Sequence, residues 1–106
     1  MKTIDLQPYD PPVPLLGPVP PRWFAERCDK CTFSPDGIPG VVDWSAACIL
    51  HDWAYQPFSG VTRWQADWYL MRNMITLGCP PAIAMRYWAG TRFGGWRLYQ
   101  KNEIVP

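Results

Sequence analysis

The chain has 106 residues, of which 48% are hydrophobic, and it carries a formal net charge of +1. This length suits a single domain with a modest core. The near-neutral charge gives no electrostatic reason to expect a nucleic-acid partner, so none is predicted. No run reaches the ~18 apolar residues of a transmembrane helix, and the N-terminus lacks the pattern of a secretory signal peptide.

Residues 1–22 are predicted to form an extended arm, because they hold seven of the 13 prolines. Proline lacks the amide donor and fixes φ, which disfavours both helix and central strand. The arm can wrap around its own domain or present a pre-extended surface to a protein partner. Our hypothesis is that it packs on another chain. Residues 23–106 are predicted to form one helical domain, of the all-α class.

The segment Cys28–Val42 is predicted to be an ordered loop, since it contains CTFSPDGIPG and Pro and Gly enforce turns. Asp29 and Asp36 supply carboxylates beside turn carbonyls, which are the oxygen ligands that calcium prefers. Two cysteine alternatives are weaker. The first is a redox pair formed by Cys28 and Cys31, but no βαβ pattern surrounds these residues. The second is a zinc site that uses Cys28, Cys31, Cys48 and Cys79, but only Cys28 and Cys31 have the spacing that such a site requires.

Three helices are predicted after this loop. The first can be capped by Asp43 or Ser45 and runs through AACILHDWAY to a stop near Pro57. The second begins at a capping box formed by Thr62 and Gln65, and it ends where Gly78 follows Leu77. Its apolar residues recur at helical spacing and predict one buried face: Trp64, Trp68, Met71, Met74 and Ile75. The third opens at Pro81 and runs through AIAMRYWAG.

His51 is the only histidine of the chain, and the turn at Ser59-Gly60 places it opposite Asp67. Both residues lie roughly 10 Å from that turn at 1.5 Å per residue, hence at similar height on antiparallel helices. Asp67 is expected to accept Nδ1–H of His51, which fixes the tautomer and makes the imidazole a general base for water. Tyr55 is expected to donate a hydrogen bond to this aspartate, and Asp52 to meet a cation.

The run DKCTFSPDGIPGVVDWSAACILHDWAY, followed by TRWQADWYLM, resembles the prokaryotic secreted phospholipase A2 family. The shared features are Asp-x-Cys, a Pro-Asp pair, Ala-Cys-x-x-His-Asp-x-x-Tyr and Arg-x-x-x-Asp at the start of the next helix. The resemblance spans residues 28–79. The chain departs from the family at Trp53-Ala54, where Phe-Gly is usual, at the additional Cys28 and in a shorter connection between the two helices.

The resemblance implies a phospholipase A2-like fold and calcium-dependent hydrolysis of the sn-2 ester of glycerophospholipids at a membrane surface. His51 would be the general base and Asp67 its partner. It implies that calcium is held by Asp29, the carbonyl of Lys30 and Asp52. It also implies a disulfide between Cys31 and Cys48, which leaves Cys28 and Cys79 as the second pair by elimination. An extracellular or virion location would follow.

A second function class stays open, a non-enzymatic structural or assembly protein such as a phage virion or tail component that keeps this fold. The C-terminal segment has two interpretations as well. Its basic and aromatic residues could contact phosphates or an anionic membrane, or they could form a solvated helix face: Arg86, Trp88, Arg92, Phe93, Trp96, Arg97 and Lys101.

Overall fold

The computed structural model describes residues 7–28, 31, 35–95 and 99. Within them lie four helices and one antiparallel pair of strands: α1 (Arg22–Arg27), β1 (Gly37–Ile38), β2 (Val42–Asp43), α2 (Ser45–Ala54), α3 (Arg63–Thr76) and α4 (Pro81–Gly94). None of these helices, over the part of the chain that is described, has the length and apolar character needed to cross a membrane.

The helical character is confirmed, but the all-α prediction is wrong for the loop before α2. There Gly37 pairs with Asp43 and Ile38 with Val42. The turn between the strands places Pro39 before Gly40, whose φ is +74°, and the amide of Val41 bonds the carbonyl of Ile38 at 3.0 Å. Pro followed by a Gly with positive φ is the signature of a type II turn, so the same residues that predicted turns also close a short hairpin.

The predicted positions of the helix termini are confirmed, but neither Asp43 nor Ser45 is the N-cap of α2, which is Trp44 and has no side-chain cap hydrogen bond. Asp43 Oδ1 accepts the amide of Ser45 at 2.8 Å at the start of α2. Thr62 and Gln65 form the full capping box of α3, and Gly78, with φ +100°, follows its end. α4 opens at Pro81 and extends to Gly94.

The predicted apolar face of α3 is wrong at its two tryptophans. Trp64 is 56% exposed and Trp68 37% exposed, and their rings stack on one another with an angle of 11° between planes. The face that meets the core instead carries smaller and polar residues: Ala66, Asp67, Leu70, Asn73 and Met74. Met74 is buried as predicted, and Met71 and Ile75 pack against the core. Periodicity in large apolar residues did not indicate the rest of the buried face, because that part includes a carboxylate and an amide.

α2 and α3 run antiparallel, as predicted. Residues near the start of α2 share a buried cluster with Leu70 and Met74 of α3, whereas Ala54 and Tyr55 at its end share another with Ala66. α4 returns along α3, and its buried Ala84 joins the first of these clusters. This arrangement sets side chains of three helices around the first half of α3.

The described part of the proline arm folds against its own domain. The amide of Tyr9 bonds the carbonyl of Pro20 at 2.9 Å, closing the arm into a loop. Leu16 bonds the side chain of Asn73 on α3 through both its amide and its carbonyl. The hypothesis that the arm packs on another chain instead of its own domain is therefore wrong for residues 7–21. Docking of a partner on its exposed side stays a prediction.

The Cys31–Cys48 disulfide is confirmed, with 5.0 Å between the Cα atoms. It excludes both the zinc site and the redox pair, because each needs the thiol of Cys31. The predicted second pair is wrong. Cys28 and Cys79 are buried outside any disulfide, and they belong to different hydrophobic clusters. Closing a loop of 17 residues stabilises a fold by about 3 kcal/mol in the chain-entropy model.

Candidate active site

The site is built around a contact between α2 and α3. Nε2 of His51 lies 2.9 Å from Oδ1 of Asp67. The aspartate side chain is fully buried, and the histidine side chain is 10% exposed. The imidazole is thus largely shielded from water, and its carboxylate partner entirely so.

The contact uses the other ring nitrogen from the one predicted. Nε2 is the atom farthest from the backbone, so it is the nitrogen that spans the gap to a neighbouring helix. An ionised carboxylate can only accept a hydrogen bond, which places the proton of the neutral ring on Nε2. The lone pair is then on Nδ1, and that is the nitrogen available to accept a proton from water.

Asp67 receives two further hydrogen bonds. Tyr55, one turn after His51, donates its hydroxyl to Oδ1 at 2.5 Å, as the spacing predicted. Arg92 of α4 donates from Nη1 to Oδ2 at 3.0 Å. Three side chains from two helices therefore hold one buried carboxylate, which fixes its orientation toward the imidazole.

The hydrogen bonds outweigh burial in setting the charge of Asp67. Burial by itself raises the pKa of Asp67, but the bonds from His51, Tyr55 and Arg92 hold the pKa below its ordinary value. Burial, followed by the hydrogen bond to Asp67, raises the pKa of Tyr55. The aspartate therefore stays ionised, and the tyrosine stays a donor, throughout the neutral pH range.

Sequence reasoning missed Arg92 as part of the site. It treated this residue as one of several C-terminal cations on a solvated or phosphate-binding face. No local pattern distinguishes Arg92 from Arg86, which is exposed on the same helix. Arg92 reaches Asp67 because of the way α4 packs on α3, and the spacing of residues within α4 does not reveal this packing.

The predicted calcium ligands are only partly described. Asp29 and Lys30 lie outside the described residues. Asp52 follows His51 on α2 and is half-buried, and Oδ1 of Asp36 accepts the amide of Cys31 at 3.0 Å. Among the residues that the structure describes, no three His, Cys, Asp or Glu side chains come together as a metal site.

Comparison of the chain with protein-family models, with curated proteins and with solved structures gives no match.

Proposed function

We propose that the chain is a phospholipase A2-like hydrolase that cleaves the sn-2 ester of glycerophospholipids. The observation that carries this proposal is the 2.9 Å contact between His51 and Asp67, because a general base needs an orienting partner within hydrogen-bond distance. The dyad supports hydrolysis by activated water. The choice of phospholipid rests on the resemblance of residues 28–79.

In the proposed reaction, Nδ1 of His51 removes a proton from a water molecule as the water oxygen attacks the ester carbonyl carbon. The carbonyl π bond opens, and its electron pair moves to the oxygen. Asp67 stabilises the imidazolium that forms. The tetrahedral intermediate then collapses, the bond to the glycerol oxygen breaks, and the imidazolium returns its proton to that oxygen. The products are a fatty acid and a lysophospholipid.

Calcium belongs to this proposal. Asp29, the carbonyl of Lys30 and Asp52 form an all-oxygen set of the kind that calcium prefers. The disulfide supports the grouping, because it fixes Cys31 to Cys48, one helical turn before Asp52. Bound there, calcium would supply positive charge that polarises an ester carbonyl.

The surface partner in this proposal is a phospholipid membrane. Two exposed aromatic groups support it: the stacked Trp64–Trp68 pair and Phe93, which is 85% exposed. Trp64 and Phe93 are the chain neighbours of Arg63 and Arg92, which are in contact with each other. Exposed aromatic rings are common where proteins meet lipid head groups.

The alternative is a non-enzymatic structural or assembly protein. One observation favours it: both oxygens of Asp67 are fully engaged by neighbouring side chains, as in a polar network that only stabilises a fold. The two functions differ in what the histidine contributes. A catalytic His51 is essential for turnover and of minor value for stability, whereas a structural one is the reverse.

The deciding experiment measures fatty-acid release from phosphatidylcholine vesicles, with calcium and with a chelator. We expect release by the unaltered protein, its loss with chelator and its loss in His51→Gln at an unchanged unfolding temperature. Arg72→Gln, on the exposed face of α3, is the matched control and should retain activity. Absence of release by the unaltered protein in calcium would reject the proposal. A large drop in unfolding temperature in His51→Gln would favour the structural alternative.

A further inference from the structure

The charges of the described residues are divided unevenly along the chain. Residues 7–62 hold five carboxylates and two arginines, whereas residues 63–95, which span α3 and α4, hold four arginines and one carboxylate. That carboxylate belongs to Asp67, which is fully buried and paired with Arg92. The described surface of α3 and α4 therefore presents arginines and no acidic side chain, although the formal net charge of the whole chain is only +1.

Exposed aromatic rings lie on the same two helices. Trp64 and Trp68 are 56% and 37% exposed, and their spacing of four residues puts them on one side of α3. Phe93 is 85% exposed near the end of α4. Arg86 is exposed as well, and it precedes Phe93 by seven residues, or about two turns, so these two residues share one side of α4.

The aromatic residues of the two helices meet at one end of the helix pair. Nη2 of Arg63 bonds the carbonyl of Arg92 at 2.6 Å, so the start of α3 lies against the end of α4. Trp64 and Phe93 are the chain neighbours of these two arginines. The outer surface of α3 and α4 thus combines apolar rings at one end with an unopposed positive charge.

We propose that this outer surface binds an anionic phospholipid bilayer, with Trp64, Trp68 and Phe93 in the head-group layer and Arg86 against lipid phosphates. The inference rests on the proposed function, which requires a lipid surface, and it adds the charge of that surface. Aromatic rings suit the boundary between head groups and acyl chains. Each arginine close to an anionic leaflet strengthens binding by about fivefold.

Charge complementarity selects this partner. An anionic surface attracts α3 and α4 and repels the acidic part of the chain, residues 7–62, so it orients the molecule, whereas a zwitterionic surface has no net charge to do so. Single-stranded nucleic acid also offers phosphates, but its bases bind on open ring faces. Trp64 and Trp68 stack on one another with 11° between planes, so one face of each ring is already covered. This arrangement favours the bilayer.

Ether-linked phospholipids test binding apart from hydrolysis, because they contain no ester to cleave. The full chain is sedimented with vesicles of ether-linked phosphatidylcholine, alone or mixed with ether-linked phosphatidylglycerol, in the presence of a calcium chelator. We expect binding to the mixed vesicles to be about tenfold tighter at about 0.1 M salt. Most of this preference should disappear at about 1 M salt, where the Debye length falls from roughly 10 Å to roughly 3 Å.

Three variants locate the binding surface. Trp64→Ala and Phe93→Ala should each weaken binding to the mixed vesicles about tenfold, since each removes apolar area that the bilayer covers. Arg86→Gln should weaken the same binding about fivefold and change binding to phosphatidylcholine vesicles much less. The matched controls are Val41→Ser, 78% exposed on the hairpin turn, and Arg22→Gln, exposed on α1. Both should bind the mixed vesicles as the unaltered protein does.

Equal binding to the two kinds of vesicle would overturn the inference, and so would unchanged selective binding in all three variants. Binding of oligothymidylate in place of the mixed vesicles, lost in the same variants, would also overturn it and assign the surface to nucleic acid. If the mixed vesicles are bound but ester-linked vesicles release no fatty acid, the proposed function fails and the binding surface stands. Release of fatty acid without a preference for anionic vesicles gives the reverse result.

Discussion

Helix α3 buries two polar side chains on the face that it turns toward the core, and the two are satisfied in opposite ways. Asp67 is held by side chains, from His51 of α2, from Tyr55 directly after α2 and from Arg92 of α4. Asn73 is held by backbone, since its Oδ1 accepts the amide of Leu16 at 2.7 Å and its Nδ2 donates to the Leu16 carbonyl at 3.0 Å.

Under the proposed function, this difference corresponds to a chemical role for Asp67 and a structural one for Asn73. The side-chain amide of Asn73 bonds both the N–H and the carbonyl of Leu16, so the contact is neutral and does not titrate. Buried backbone N–H and C=O groups need hydrogen-bond partners, and Asn73 supplies both for Leu16. The same contact fixes the arm to α3. The carboxylate of Asp67 gathers a cation, a phenol and an imidazole, so a proton gained by one of them alters the energy of the others.

The largest effect that distinguishes the two sites is on turnover. Asp67→Asn should lower kcat by about 10³-fold or more, because the neutral amide neither fixes the tautomer of His51 nor stabilises its imidazolium. Asn73→Ala should leave kcat within about twofold, since the side chain of Asn73 bonds the backbone of the arm and not the dyad. Both are measured by fatty-acid release from phosphatidylcholine vesicles. A comparable loss in both variants would show that the loss reports general damage to the fold and would remove the distinction.

The pH dependence of the free energy of unfolding compares Asp67 with Asn73 by a measurement that does not need enzymatic activity. The pKa of Asp67 is held below its ordinary value in the folded protein, so ionised Asp67 contributes stability that is present above that ordinary value. The contribution is lost as pH falls through the lower folded value. Urea unfolding between pH 6 and pH 2 should therefore show a smaller acid-induced loss for Asp67→Asn than for Asn73→Ala. Equal losses would contradict this.

The second largest effect is on the arm. Asn73→Ala should lower the free energy of unfolding by about 2 kcal/mol, because it removes the two part-buried hydrogen bonds to the backbone of Leu16. The amide of Leu16 should then exchange faster with solvent, which hydrogen-exchange mass spectrometry can measure. Thr76→Ala is the matched control, since Thr76 is exposed and bonds only a carbonyl of its own helix. If the amide of Leu16 stays protected in Asn73→Ala, the arm is held by other contacts.

The smallest expected effect is on stability, and it comes from replacing two glycines of the C-terminal region. One of them lies beside the Tyr55 hydroxyl, and the other does not. A Cβ on Gly95 would lie in steric conflict with the Tyr55 hydroxyl, whereas one on Gly90 meets nothing within 4 Å. Gly95→Ala should destabilise the fold by about 1–2 kcal/mol and reduce turnover. Gly90→Ala should stabilise α4 by up to about 1 kcal/mol, because Ala favours a helix interior. Thermal unfolding of both variants checks this, and the same sign for both would contradict it.

The sequence predicted the parts of the site that follow from local geometry. The capping box at Thr62, the proline that opens α4 and the turn at Ser59-Gly60 each act within a few residues, and helical rise is constant. These features were sufficient to set His51 opposite Asp67 and to place Tyr55 within reach of the same carboxylate. The Cys31–Cys48 pairing came from resemblance, and the structure bears it out.

The remaining features depend on rotation and on distant neighbours. Which ring nitrogen meets Asp67 depends on the gap between α2 and α3 at His51, and the outward position of Trp64 and Trp68 depends on the rotation of α3. Arg92 reaches the dyad only because α4 packs along α3. Spacing along one helix constrains none of these, since each is decided by close packing between segments far apart in the chain. The sequence by itself thus determined the helices and the facing pair, whereas the tertiary structure determined the nitrogen, the exposed rings and the cation behind the carboxylate.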